Sequence, residues 1–597
     1  MKKIFGIVLG VLSVLTLASC GNDVIVINEC SEREDIKILY TNDIHSYIAN
    51  TTKDKEGNEV AALRLNNIAG YYKKLKNDFK NVMLVDAGDE VQGAIYGAID
   101  RGVDMINIMN NVGYDLACPG NHDFDYGMDA FKGFVQEANY PYISCNFKES
   151  NGKNVLDAYK IFEIGGAKIG FVGISTPSTI ITSTPTFFQN SKGEFIYTFD
   201  GQYKKEDLYN SVQETVDEIK NKVDYVIALG HLGVGIDEQK LGITSIDVIN
   251  NTTGLDAFID GHSHTLMEKK IVKSKDDKDV VLTQTGFYLE SGFGVMDITK
   301  DGNINTTLVN NIEDKDDNVK NLEDALIDKV NNQLGQKIAT LDKNLYIMTP
   351  GNDRQRIVRA RETNMGNIAS DSIYWYINEL KKLDCDIAFV NGGGLRTGID
   401  AGDVTYLSCK SVMPFGNQIC LIKTKGINIK NAIEMGVNVV DGWNDEWNSP
   451  AENGGFIHAA GLKYDVDCNV PCHVKTDNSG MFVSVDGEYR VKNLMVYNKN
   501  TKEYEPLDDN KEYLLGGINY LLRNQGNGLT MFNDSELVLD YIDEDYTVFA
   551  KYFMAFDNTK INNQNSPLKG YINYLYDYEN PYGSNRINIL NLKHSLS

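Results

Sequence analysis

Five short stretches of this 597-residue chain set histidine and aspartate beside glycine or asparagine. They are Thr41-Asn42-Asp43-Ile44-His45, Asp86-Ala87-Gly88-Asp89, Gly120-Asn121-His122-Asp123-Phe124-Asp125, Gly230-His231 and Asp260-Gly261-His262-Ser263-His264. Imidazole, carboxylate and an amide, with no thiolate, is a donor set for Zn, Mn, Fe or similar divalent ions and unlike a structural Cys-type zinc site. A lone histidine is more often a surface or hydrogen-bonded core residue. Here five of the eight histidines (His45, His122, His231, His262 and His264) fall in the five stretches, and that joint placement points to a metal centre. Asp43 and His45, two apart, can point the same way from an extended segment.

The stretches come after short apolar runs, Ile36–Tyr40, Val82–Val85, Tyr225–Ala228 and Ala257–Ile259, with Ile169–Val172 continuing the rhythm. Such runs, separated by helical stretches, predict an α/β domain with buried strands. In an open α/β sheet, ligands bind beyond the carboxyl ends of the strands, so the loops should converge on one rim. From Asn318 to Ala339 the pattern changes: Val319, Leu322, Leu326, Val330 and Leu334 recur at helical spacing. One long amphipathic helix there predicts a connector. Beyond it, Ile387–Val390, Gln418–Lys423, Arg490–Tyr497 and Tyr513–Gly516 mark a second, mixed α/β domain.

In order and spacing the five stretches resemble the motifs of calcineurin-like metallophosphoesterases. The resemblance implies an α/β/β/α sandwich with two divalent ions. Asp43, His45 and His264 would hold the first, Asn121, His231 and His262 the second, and Asp89 would bridge them. Two cations about 3.5–4 Å apart lower the pKa of a bound water, so that hydroxide attacks phosphorus, and clamp the phosphoryl oxygens. His122 would stabilise the transition state or protonate the leaving oxygen, with Asp125 orienting it. Asp86 and Asp123 read as supporting residues.

In the second half, Arg359-Ala360-Arg361-Glu362-Thr363-Asn364, Asn391-Gly392-Gly393-Gly394-Leu395-Arg396, Pro414-Phe415-Gly416-Asn417, Asn519-Tyr520 and Gly526-Asn527-Gly528 resemble the C-terminal domain of bacterial and animal 5′-nucleotidases. Phe415 and Tyr520 can sandwich a flat base. Arg359, Arg361 and Arg396 offer bidentate donors to phosphate. Asn364, Asn391 and Asn417 can read ribose or base edges. Two positions depart from the family: Asn527 replaces the aspartate of a Gly-Gly-Asp-Gly run, and Ser46 stands where glycine is usual. The domains are expected at 36–317 (catalytic), 318–345 (linker helix) and 346–556 (substrate-binding), with a tail at 557–597. The resemblance also implies rotation of the domains about the connecting helix.

The chain begins with Lys2 and Lys3, an apolar run from Ile4 to Leu17, and Leu17-Ala18-Ser19-Cys20. The pattern is that of a secretory signal over 1–19. Its end resembles a bacterial lipobox, which implies lipidation of Cys20, a tether over 20–35 and anchoring to the cell envelope. Cys468 and Cys472 are near enough for a loop disulfide. The 58 basic and 83 acidic residues leave a net charge of −25. No basic surplus exists to bind nucleic acid polymers. Two cations and the arginines can still make the cleft locally positive for a phosphate. The expected activity is release of phosphate from nucleoside 5′-monophosphates. UDP-sugars and 2′,3′-cyclic nucleotides are alternative substrates for the same site, and a non-catalytic nucleoside-binding module is a third reading.

Overall fold

The computed structural model describes residues 24–48, 51–53, 59–351, 355–444, 449–540, 543–556, 559–561, 564–568 and 578–593. The signal segment and Cys20 lie outside these. Among the described residues no helix is long and apolar enough to cross a membrane.

The first domain is built on β1 (Ile25–Asn28), β2 (Ile36–Thr41), β3 (Val82–Asp86), β4 (Leu116–Ala117), β5 (Tyr159–Ile164), β6 (Ala167–Ser175), β7 (Tyr225–His231), β8 (Ala257–Ile259), β9 (Leu266–Lys273), β10 (Asp279–Thr285), β11 (Phe293–Ile298) and β12 (Ile304–Val309). Two sheets form, in the orders β1-β5-β6-β7-β8-β10-β9 and β12-β11-β2-β3-β4. Side chains alternate across each strand. Ile36, Ile38 and Tyr40 of β2 therefore enter the core between the sheets with Met83, Val85, Ile169, Ile227 and Ile259. Leu39, Val82 and Leu84 face outward into a helical layer, and a second helical layer covers the other sheet. The result is the expected α/β/β/α sandwich, in which strands buried on both faces read as unbroken apolar runs.

β2, β3 and β4 pair in parallel, as do β6, β7 and β8. Their carboxyl ends share one rim, which brings the five loops together.

Three expected boundaries need correction. Ile25–Asn28, read as tether, pairs in parallel with β5 as the edge of the larger sheet. The helix ends at Leu334, so 335–345 is not helical. That helix (Asp317–Leu334) also belongs to the first domain rather than standing between the two. Val319, Leu326, Ile327 and Val330 are buried in its outer core, and Arg64 pairs with Glu323 and Asp324. The crossing is the short piece Gly335–Gln336, after which Lys337–Leu341 already pairs with Gly402–Thr405 of the second domain.

The second domain centres on a sheet of order Ile457–Ala460, Ile387–Asn391, Glu512–Ile518, Ile419–Lys425, Glu536–Leu539. The tail is part of it. Ile587–Leu590 pairs with Leu462–Asp467, and Arg586 reaches Asp371 inside the core. Cys468 and Cys472 are free thiols.

Candidate metal centre and substrate cavity

The expected ligands meet at the shared rim. Asp43 Oδ1 lies 3.7 Å from His45 Nε2, 3.4 Å from His264 Nε2 and 3.9 Å from His231 Nε2. Asp89 Oδ2 lies 3.1 Å from His231 Nε2 and 3.8 Å from His45 Nε2. Asp43, His45 and His264 form one group that can hold an ion, and Asp43, Asp89 and His231 a second. Asn121 and His262 meet beside them, His262 Nδ1 being 2.8 Å from Asn121 Oδ1.

The loops that carry these residues are not extended. Asp43, His45, Asp89, His262 and His264 have φ of +51°, +50°, +61°, +76° and +55°. Non-glycine residues rarely adopt this left-handed region, and such strain persists only where surroundings over-determine it. Backbone bonds from Asp43 to Gly88, His45 to Asp89 and Ser46 to Glu90 hold the first loop against the second. The second is gripped by Asp123, whose carboxylate accepts from the backbone of Asp89, Glu90, Val91 and Gly120. Ser46 shares the strain at +51°, which explains why glycine is usual there; its Oγ compensates by accepting from Gly97 N and donating to Ala94 O. Gly120 is required by closeness, because a Cβ there would fall 2.2 Å from Asp89 Oδ1.

The residues fit divalent ions. His45 Nδ1 donates to Gln92 O and His231 Nδ1 to Ala87 O, which turns both Nε2 lone pairs inward. His45 Nε2 and His264 Nε2 face each other at 2.9 Å, and His231 Nε2 is buried without a hydrogen bond. Burial holds His45 and His264 well below the usual imidazole range, so both are neutral. Burial pushes Asp43 up to about 7, with Asp89 adding to the rise. A cation bound here would take up the inward nitrogens of the neutral histidines and favour the charged form of the carboxylates.

A cavity of about 1090 Å³ opens from this centre to the second domain. His122, Asp125, Arg359, Asn391, Arg396, Phe415, Asn417, Tyr520 and Asn527 line it with Asp89, Asn121, His262 and His264. His122 Nδ1 is 2.6 Å from Asp125 Oδ2, and Ser183 Oγ donates to Asp125 Oδ1 at 2.7 Å. The Phe415 ring stands 5.8 Å from that of His122, and the Arg396 guanidinium lies 5.7 Å from the Phe415 ring centre. Tyr520 OH donates to Ile181 O of the first domain, and Gln202 bonds Ser479 across the same interface. Asn391 Nδ2 donates to Gly454 O and Asn527 Oδ1, while its Oδ1 is buried and unpartnered.

A calcineurin-like phosphoesterase family model matches residues 36–266, and a 5′-nucleotidase C-terminal domain model matches residues 337–534. The chain belongs to the calcineurin-like metallophosphoesterase and 5′-nucleotidase superfamily. It is 27% identical to the 5′-nucleotidase of Bos taurus, with 87% of this chain and 88% of the relative covered. It is 27% identical to that of Homo sapiens over the same shares. A 5′-nucleotidase precursor from Thermus thermophilus has the same fold, with a TM-score of 0.73 over 93% of this chain and 99% of that one, at 24% identity. This metallophosphoesterase is thus a metal-dependent phosphohydrolase with a two-ion centre.

Two expected pocket residues are elsewhere. Arg361 donates to Ala360 O and Val440 O and does not line the cavity, because the chain turns at 358–360, with Ala360 N and Arg361 N both bonded to Ile357 O. Asn364 is buried and ties Tyr346 N, Asn344 O and Tyr578 O together, a structural clasp for the helix Asn364–Trp375. Conversely, the sequence reading missed Arg356, Phe287 and Glu238. Arg356 NH2 donates to His264 Nδ1 at 3.2 Å, NH1 pairs with Glu452, and the guanidinium lies over Phe287, which stacks on His264. The basic spacing Arg356-Ile357-Val358-Arg359 was a usable signal for the first; nothing marked Phe287.

Proposed function

We propose that this enzyme releases phosphate from nucleoside 5′-monophosphates. The carrying observation is that one cavity is lined both by the metal centre and by an aromatic, arginine and asparagine set. When bound, two divalent ions polarise the phosphoryl oxygens and activate water. Arg359 and Arg396 offer planar donors to the phosphate, and Arg359, lowered to about 9 by burial and the neighbouring Arg356, stays cationic at neutral pH. His122 is oriented by Asp125 to serve the leaving oxygen. Phe415 and Tyr520 offer faces for the base, and Asn391 and Asn527 offer amides to ribose.

We also place the chain on the cell envelope through lipid at Cys20, which rests on the basic start, apolar run and Leu-Ala-Ser-Cys end. Palmitate labelling that survives Cys20→Ser would refute it. The activity is tested by phosphate release from AMP, UMP, UDP-glucose, 2′,3′-cAMP and ATP, with and without chelator. AMP or UMP should lead the panel and chelator should stop turnover. A lead by UDP-glucose or 2′,3′-cAMP reassigns the substrate, and chelator-resistant turnover overturns the metal assignment.

A further inference from the structure

Glu238 belongs to the short helix Ile236–Leu241 that follows the His231 strand, and it carries no metal-binding motif of its own. Its Oε1 lies 3.2 Å from His262 Nε2. The other nitrogen of the same ring, Nδ1, faces Asn121 Oδ1 at 2.8 Å. An ionised carboxylate only accepts, so Nε2 carries the hydrogen, and Nδ1, beside Asn121 Oδ1, is the nitrogen left for an ion. At 2.8 Å the two atoms are near enough to share one cation.

The backbone is shaped for this contact. A Cβ at Gly235 would stand 2.3 Å from Glu238 Oε2, so only glycine lets the carboxylate fold back over the helix start. Gly235 has an ordinary φ of −63°, which shows that the glycine serves space and not torsion. Among the described residues no lysine or arginine pairs with Glu238; its ion-pair partner is His262.

We infer that Glu238 is a positioning residue for the metal centre, fixing which nitrogen of His262 the ion receives. This rests on the two-ion reading above. A carboxylate behind a metal-bound histidine sets its tautomer and ring orientation, and loss of such a partner costs about 10–100-fold in metal affinity.

The test is calorimetric titration of the chelator-stripped full chain with Mn²⁺, alongside the melting temperature of the metal-free protein. Wild type should bind two ions. Glu238→Ala should weaken one site about 10–100-fold and leave the other. Gly235→Ala should do the same with Glu238 intact, because the added methyl displaces only the end of a flexible side chain. Glu238→Gln, whose amide oxygen can still accept from Nε2–H, should recover most of the loss. All metal-free melting temperatures should agree. Two unchanged sites in both alanine variants overturn the inference, as does equal loss at both sites or a matching fall in metal-free stability. If Glu238→Ala does not fold, Gly235→Ala decides. A wild-type chain binding fewer than two ions refutes the two-ion reading itself, and this inference with it.

Discussion

Replacing Arg586 by methionine should destabilise the second domain far more than a surface change would. Arg586 is 2% exposed and Asp371 fully buried, and they make two parallel bonds of 2.7 Å. Arg586 also donates to Ala459 O, while Tyr578 OH donates to the same carboxylate. Arg586→Met keeps most of the volume and removes the charge, leaving Asp371 with the tyrosine alone. Breaking a buried pair this way costs about 3–5 kcal/mol, because one charge stays buried and uncompensated. For a domain of this size each kcal/mol lowers the melting temperature by about 2–4 °C, so the fall should be roughly 6–20 °C. Scanning calorimetry of the full chain should show it in the second domain's transition only. Adding Asp371→Leu should return most of the loss, since an apolar pair of similar volume is often neutral. A shift under about 2 °C, or a double variant as unstable as the single one, would refute the reasoning.

His122→Ala should lower kcat by about 10²–10⁴-fold while elemental analysis finds the metal content unchanged. Phe415→Ala and Tyr520→Ala should each weaken nucleotide binding by about 1–3 kcal/mol, visible as a raised KM with little change in kcat. His458, fully buried with Nε2 bonded to Val358 O, is lowered by burial to about 4. The unfolded chain takes up this proton near 6.5 and the folded chain does not, so stability should fall as pH drops from about 6.5 to 4, by on the order of 3 kcal/mol. Denaturation midpoints across that range should flatten in His458→Gln. Crosslinking the domains through cysteines at Gln202 and Ser479 should suppress turnover if opening admits substrate; unchanged turnover would argue that it does not.

The sandwich and its ligand loops were legible because parallel strands buried on both faces leave uninterrupted apolar runs, and metal ligands are restricted to few residue types. β4 left little trace, since two residues, Leu116 and Ala117, suffice when a strand is held by its neighbours. The left-handed turns at Asp43 and His45 are invisible to a period-two reading, because tertiary bonds to Gly88 and Asp89 impose them. Arg361 and Asn364 show the limit of motif transfer: both sit in a matching segment, yet a turn before Arg361 and the bonds of Asn364 to Tyr346, Asn344 and Tyr578 hold them away from the cavity. The tail was silent because Arg586 works through a partner 215 residues away.

The left-handed backbone of the ligand loops has a further consequence. The shape of the centre is inherited from the polypeptide before any ion arrives. A site made this way presents its donors already gathered, because backbone bonds to Gly88, Asp89 and Glu90, and not an ion, hold Asp43 and His45 in place.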